Sequence, residues 1–574
     1  ETDAPRAETF ARVREIAAEH TPPAFVAGEP VQVHDMYRYV DQDSRLLGWA
    51  SSILLMVMIL ALFRSLRWVL LPVLVVPVTL VWTKAVLVLS GIELSMVSSI
   101  LTSLVTIIGI ATVTHLTVNY RELRQEFDRE PAFRETLRRL GPPVAWTCIT
   151  TGVGFGALMS SEILPVRSFG LMLALAAVLV LIACFAILPG GVLMLRYDSD
   201  PRPTLAEARL VRLLQKLGRG VDRHPRLWLC GLLSMMAITG AGLFFLRVET
   251  DFSKNFRESS EIVEAIDFFE ENMGGAGTWE INFPWPHGLT EESLPRLREL
   301  ATNLRNLRLP SGTRLTKVVA LSDGIDFAPG STLEEKLDRL ANIQPDFVPS
   351  LYNVEAQQMR ILLRALERQP AEEKLELIRA VEAEARKIVP EARATGFYLL
   401  LAELIRSLLR DQLVSFLLAT LGIFICMTIA FRSAWIGLLS LVPNVFPLLL
   451  VIGGMGWTGL PVNIGTAMIA SVSMGLTVDS SIHYIAGYLR ARAAGATYAD
   501  ALRSTHGTVG VAMVFANVVL AAGFLVLSLS NFVPLIYFGT LVSLSMLGGL
   551  LGDLALLPLL LRWAPVPAQT ARAA

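Results

Sequence analysis

Asp479 and His483 lie four residues apart inside an apolar stretch, residues 463–487. On a helix that spacing puts both side chains on one face. An ionised Asp at the centre of a membrane helix costs about 2.5–3.5 kcal/mol on insertion scales, so such a residue points to function. A low-dielectric surrounding penalises the charged form of each group, and a carboxylate beside an imidazole can then exchange a proton at small cost. A proton moving through the pair is driven by the membrane field, about 2.3 kcal/mol per charge per 100 mV. His115, in the stretch 95–118, is a third candidate, with Thr112 one turn before it and Asn119 one turn after. Ser480 follows the Asp directly, and Asn517 sits in another apolar stretch, 508–529. If the helices meet, Asp479, His483 and His115 form a proton relay, with Ser480, Thr112, Asn119 and Asn517 in support. The competing reading is that these groups hydrogen-bond helices to one another.

The elements that must position them are membrane helices. The chain has 574 residues, 53% hydrophobic and 18% charged, with net charge −1. Soluble domains carry about 25% charged residues. This composition excludes a disordered chain, a basic nucleic-acid binder and an ordinary cytosolic enzyme. About 20 apolar residues cross a bilayer, and such runs lie at 46–63, 68–90, 95–118, 143–161, 166–195, 227–246, 412–430, 434–457, 463–487, 508–529 and 535–561. Eleven helices are present. Cys148, Cys184, Cys230 and Cys426 all fall in apolar runs, so no disulfide framework is expected. There is no Walker motif, metal-ligand spacing, nucleophile elbow or catalytic triad. Neither an enzyme nor a cofactor or metal is therefore expected.

Arg and Lys gather in alternate connections, around Arg64, Arg121–Arg139, Arg196–Arg226, Arg432, Arg490–Arg503 and Arg562. The positive-inside rule places these in the cytoplasm. Arg121–Arg139 reads as an interfacial helix. Residues 247–411 then form an outer domain that mixes helices (259–272, 291–307, 371–389) with strands (279–283, 316–321, 359–365).

The chain also repeats itself at a spacing of 368 residues. Gly28 and Gly396, Asp43 and Asp411, Gly91 and Gly459, His115 and His483 are all matched at that distance, and Gly170 and Gly539 at one more. The units insert in the same sense, so an axis along the membrane normal is expected to relate them. The repeat predicts twelve helices, with one span and most of a first outer domain, roughly 140 residues, preceding Glu1. The expected domains are 1–43 (end of a first outer domain), 44–198 (first membrane bundle), 199–226 (cytoplasmic linker), 227–246 (span 7), 247–411 (second outer domain), 412–564 (second bundle) and 565–574 (tail).

Three segments carry a family resemblance. One is Leu246–Phe256 followed by Phe268–Gly275; another is Gly475-Leu-Thr-Val-Asp479 with His483 and Arg490. The third is Thr150–Phe155 with Pro165 and Phe169-Gly170. Together they resemble the resistance–nodulation–division (RND) superfamily, and within it the MMPL-type, sterol-sensing-domain-like exporters. The resemblance implies a duplicated six-helix unit with α+β ferredoxin-like porter domains on the periplasmic side of a bacterial inner membrane. It also implies proton-driven export of lipidic or hydrophobic small molecules; the family includes both trimers and smaller assemblies, which leaves a homo-oligomer open, and no nucleic-acid partner is expected. One position departs from the family: Ala111 stands where the fourth span should carry its own acid. That departure leaves open a second reading, a sterol-sensing-type sensor or assembly factor that binds lipid without pumping.

Overall fold

Apolar period and polar content divide the chain into two kinds of structure. The computed structural model describes residues 6–21, 24–26, 28–63, 66–91, 101–193, 205–249, 251–286 and 288–563. The start of the span expected at 95–118, the first residues of the linker expected at 199–226, and the tail 565–574 lie outside the described residues. One compact unit comprises residues 1–38 and 248–407, the other 39–247 and 408–574.

The first unit is built on an antiparallel sheet. Its strands are β1 (Gly277–Pro284), β2 (Lys317–Val319), β3 (Tyr352–Asn353), β4 (Gln358–Ala365) and β5 (Arg393–Thr395). They lie in the order β2-β4-β1-β5, with β3 paired to β4. Strand β1 alternates: Trp279, Ile281 and Phe283 point inward, opposite Leu363, Ile361 and Met359 of β4. Helices Leu294–Asn306 and Ala371–Ile388 cover that face with Leu297, Leu300 and Leu304, and with Leu377, Val381 and Ala385. A buried ion pair, Lys374 Nζ to Glu367 Oε1 at 2.7 Å, sits beside this core, with the ammonium 5.1 Å from the Tyr398 ring centre. Burial pushes the Glu367 carboxyl above its ordinary range, and the Lys374 charge opposes the shift.

The second unit is helical. Among the described residues, nine helices are long and apolar enough to cross a membrane, two fewer than the eleven expected. The stretches 143–161 and 463–487 do form helices, Arg129–Gly156 and Ile469–Ala493, but their composition is too polar. The first begins in a run of charges and carries Thr147, Thr150 and Thr151; the second carries Asp479, His483 and five serines and threonines between Ser471 and Ser481. Their polar groups turn inward, away from lipid. Burial separates inner from outer helices: 89% of the window in Leu101–Leu123 is buried, against 11% in Pro225–Phe245. No separate interfacial helix forms at Arg121–Arg139. Those residues end one helix at Leu123 and open the next at Arg129. A strongly amphipathic helix occupies Leu205–Arg223 instead.

Helix boundaries recur along the chain. Helices begin at Glu29, Leu66, Leu101, Arg129 and Leu164, and again at Phe397, Ala434, Ile469, Tyr498 and Val533, each 368 or 369 residues later. Glu29–Phe63 and Phe397–Phe431 are both 35 residues long. The helix-stopping glycines share backbone conformation: Gly91 and Gly459 have φ of 65° and 72°, a left-handed turn that a side chain would strain. Where Arg129–Gly156 is continuous, the later counterpart breaks at Thr508 into Tyr498–Gly507 and Val509–Leu525.

Candidate functional site

The site begins at a helix crossing. Helices Arg129–Gly156 and Ile469–Ala493 touch at Gly154 and Gly475; a Cβ on Gly154 would lie 2.6 Å from the Gly475 Cα. Only glycine allows that approach, and Thr151 Oγ1 ties it by donating to the Gly475 carbonyl at 3.0 Å. One turn further on, Asp479 projects between helices. From Ile469 to Ile485 every residue except Asp479 is buried. Asp479 keeps 19% side-chain exposure, bordering a cavity of about 20 Å³ with Ala111, Thr112, Thr147 and Thr151. That volume suits a single water, which needs about 10–15 Å³.

His483 Nε2 lies 3.3 Å from Asp479 Oδ1. The His115 ring, from helix Leu101–Leu123, stacks on His483 with centroids 4.3 Å apart and planes 11° from parallel. Both histidines are 3% exposed. His115 Nε2 and Asp479 Oδ1 are buried without a hydrogen-bond partner. Below the histidines opens a vestibule of about 540 Å³, lined by both rings, Asn119, Glu122, Arg139 and Arg490. The chain of groups therefore runs from an open polar vestibule, through two imidazoles, to one carboxylate at a water-sized cavity.

The three groups offer ligand atoms within 4.8 Å of one another, a donor set that divalent transition metals accept. Stacked imidazoles, however, direct their in-plane lone pairs along parallel lines rather than at one point. The same stacking keeps the ring nitrogens' N–H groups in plane, so each imidazole meets its neighbours at its edge, His483 at Asp479 and both rings at the vestibule.

The structure brings His115, Asp479 and His483 together, and places Thr112 on the Asp479 cavity and Asn119 on the vestibule. Thr112 Oγ1 donates to the Ile108 carbonyl, and Asn119 Oδ1 is buried without a partner. Asn517 does not reach the cluster: its Nδ2 donates to Ser480 Oγ at 2.8 Å and to the Met513 carbonyl at 2.9 Å. Ser480 and Asn517 thus form a separate contact on the neighbouring face of the Asp479 helix.

Sequence reasoning passed over Asp553, which is 1% exposed in the last span and accepts from Ser481 Oγ at 2.5 Å. The cost argument applied to Asp479 would have found it. Two further carboxylates act as loop clamps. Asp411 accepts from Ser161 Oγ at 2.6 Å and from the Glu162 amide at 2.8 Å. Asp43 likewise accepts from Ser530 Oγ and, at 3.0 Å, from the Asn531 amide. Outside the spans, His506 is enclosed: Nε2 lies 3.0 Å from the Leu554 carbonyl, Nδ1 3.1 Å from the Tyr484 hydroxyl and 3.0 Å from the Leu502 carbonyl. Burial holds its imidazole below the ordinary value, against the pull of the two carbonyls.

A sequence model described as the MMPL family matches residues 2–227 and 353–569. A membrane protein of Streptomyces coelicolor is 24% identical over 274 residues, 46% of this chain and 32% of the relative. A membrane protein of Methanocaldococcus jannaschii is 21% identical over 379 residues, 61% of this chain and 94% of the relative. The chain thus spans about a third of the Streptomyces relative's length.

Proposed function

The chain belongs to the MMPL family, and we propose that it is a transporter, a proton-driven exporter of lipidic or amphiphilic molecules in a bacterial inner membrane. The observation that carries the reading is the stacked His115–His483 pair joining a polar vestibule to Asp479. By charge bias the vestibule, with Arg139 and Arg490 at its mouth, opens to the cytoplasm.

Several features support a duplicated plan. The helix starts recur, and residues 368 or 369 apart meet one another: His115 stacks on His483, and Phe169 packs edge-on against Phe538 at 6.2 Å. Self-pairing of matched residues is what an axis along the membrane normal produces. In the first unit, strands β1, β2, β4 and β5 follow a β-α-β-β-α-β plan, with short helices and β3 inserted between β2 and β4, and their sheet order β2-β4-β1-β5 supports a ferredoxin-like porter domain.

As a mechanism, a proton entering from the periplasm reaches Asp479, passes to His483 Nε2 at 3.3 Å, and leaves from the ring edge into the vestibule, with the stacked His115 sharing the charge that His483 gains. Protonated Asp479 loses its attraction to His483, and the helices Leu101–Leu123 and Ile469–Ala493 shift along their glycine-lined contacts. Helices Glu29–Phe63 and Phe397–Phe431, whose residues belong to both units, carry that shift to the porter domain, which moves substrate outward. The test is export of a fluorescent phospholipid analogue into the lumen of everted vesicles containing the chain, the lumen corresponding to the periplasm. A protonophore is expected to stop export; an unchanged rate would sink the reading.

A further inference from the structure

We infer that Asp553 is a second intramembrane proton-binding site, serving the same helix as Asp479. The inference deepens the proton-coupled reading and rests on it for its role, but not for its chemistry.

Asp553 lies in a π-helical turn, Gly552–Leu556, that interrupts the last span. Such turns mark places where a helix is reshaped around a side chain. A hydrogen-bond chain of fixed polarity ends on it. Asn444 Nδ2 donates to the Ser440 carbonyl at 2.6 Å and to Ser481 Oγ at 3.0 Å, and Ser481 Oγ donates to Asp553 Oδ1 at 2.5 Å. Every donor is then spent. Asp553 Oδ2 and Asn444 Oδ1 remain, both fully buried and without a donor. A further acceptor lies alongside: Pro447 has no N–H to reach the Pro443 carbonyl one turn back, and that oxygen packs where a Gly552 Cβ would stand, at 2.7 Å. The site has acceptors in excess and lacks a donor.

No compensating charge is at hand among the described residues. Helix Ala434–Thr458 presents Asn444; the Asp479 helix presents Ser481, with Asp479 and Tyr484 as its nearest titratable groups. Helix Tyr498–Gly507 presents His506, bound to the Leu554 carbonyl. Helices Leu205–Arg223 and Pro225–Ala241 present Leu217, Val221 and Leu232 to this turn. An unpaired carboxylate is strongly disfavoured in such a place. One proton on Oδ2 neutralises it and turns a donorless oxygen into a donor.

The consequence is a shifted division of labour. Ala111 leaves the His115 helix without an acid at the small cavity, whereas the Asp479 helix carries Asp479 there and meets Asp553 of the last span through Ser481. Infrared spectroscopy of the purified full chain in lipid tests this, by the carboxyl C=O bands that shift when H2O is replaced by D2O. Asp553→Asn, an isostere of the neutral acid, is expected to remove one such band and to leave the band lost in Asp479→Asn. Ser481→Ala is expected to keep the Asp553 band at a changed frequency. A spectrum unchanged by Asp553→Asn would overturn the assignment, as would a band that vanishes when sodium replaces potassium at constant pH. Failure of the export reading would look different, with transport insensitive to protonophore while the Asp553 band persists.

Discussion

Two pairs of positions separated by 368 residues behave in opposite ways. Asp43 and Asp411 are both buried, and each clamps the loop that follows a short 3-10 turn, at Ser530-Asn531 and Ser161-Glu162. Ala111 and Asp479 both border one small cavity, yet one is a methyl group and the other an acid. The clamps need only geometry, and the same solution serves on both sides. The relay needs one ionisable group in a space that holds one water. Two carboxylates there would repel. Matched architecture with unmatched chemistry is therefore a consistent design for a single proton path at this cavity.

The comparison can be broken deliberately. Ala111→Asp makes the two sides alike and should cost about 3 kcal/mol, the insertion penalty of a second buried acid. A thermal-melting measurement in detergent checks this, and an unchanged midpoint would show that the cavity holds both. Next in size, Asp43→Ala and Asp411→Ala should each cost about 2 kcal/mol, the worth of hydrogen bonds to a charged group. Near-equal losses would sharpen the matched half of the comparison; a loss confined to one would break it.

Glycine contacts offer a third test. Gly154 meets the backbone of Gly475, whereas its counterpart 369 residues on, Gly523, meets the Ile107 side chain at 2.7 Å from a built Cβ. Gly154→Ala should therefore destabilise by roughly 1–3 kcal/mol and Gly523→Ala by less, read from the same melts. The smallest effect concerns His506. Because its folded value lies below the ordinary 6.5, its stabilising contribution is full above that pH. It falls by at most about 1.4 kcal/mol per pH unit as the solution is acidified. His506→Gln should flatten that acid limb, and an unaltered pH profile would remove His506 from it.

Much of this was legible in the sequence because it rests on period. The i, i+4 spacing of Asp479 and His483 and the 3.6-residue patterns of Leu294–Asn306 and Ala371–Ile388 are strong local signals. So is the alternation in β1 and β4. The expected helix 371–389 and the observed Ala371–Ile388 differ by one residue. What escaped was short or diluted. Strand β5 has three residues and β3 two, held by pairing with β1 and β4 rather than by their own propensity. Asp553 is a single acid in a long apolar run, so a window average hides it, and no local rule announces a π-turn. Two expected spans fall outside the nine for the same reason in reverse: an apolar window cannot tell a helix facing lipid from one whose serines, threonines, Asp and His face other helices. Asn517 was placed by depth alone, and depth does not fix the direction around a helix axis.

The central claim is that Asp479 takes up the transported proton and hands it to His483 on the way to the vestibule. Proton uptake into liposomes containing the purified chain, followed with a pH-sensitive dye under an imposed membrane potential, measures it directly. Wild-type protein is expected to conduct protons, and Asp479→Asn, with an unchanged melting profile, to reduce the rate at least tenfold. Equal rates for the two proteins would contradict the account.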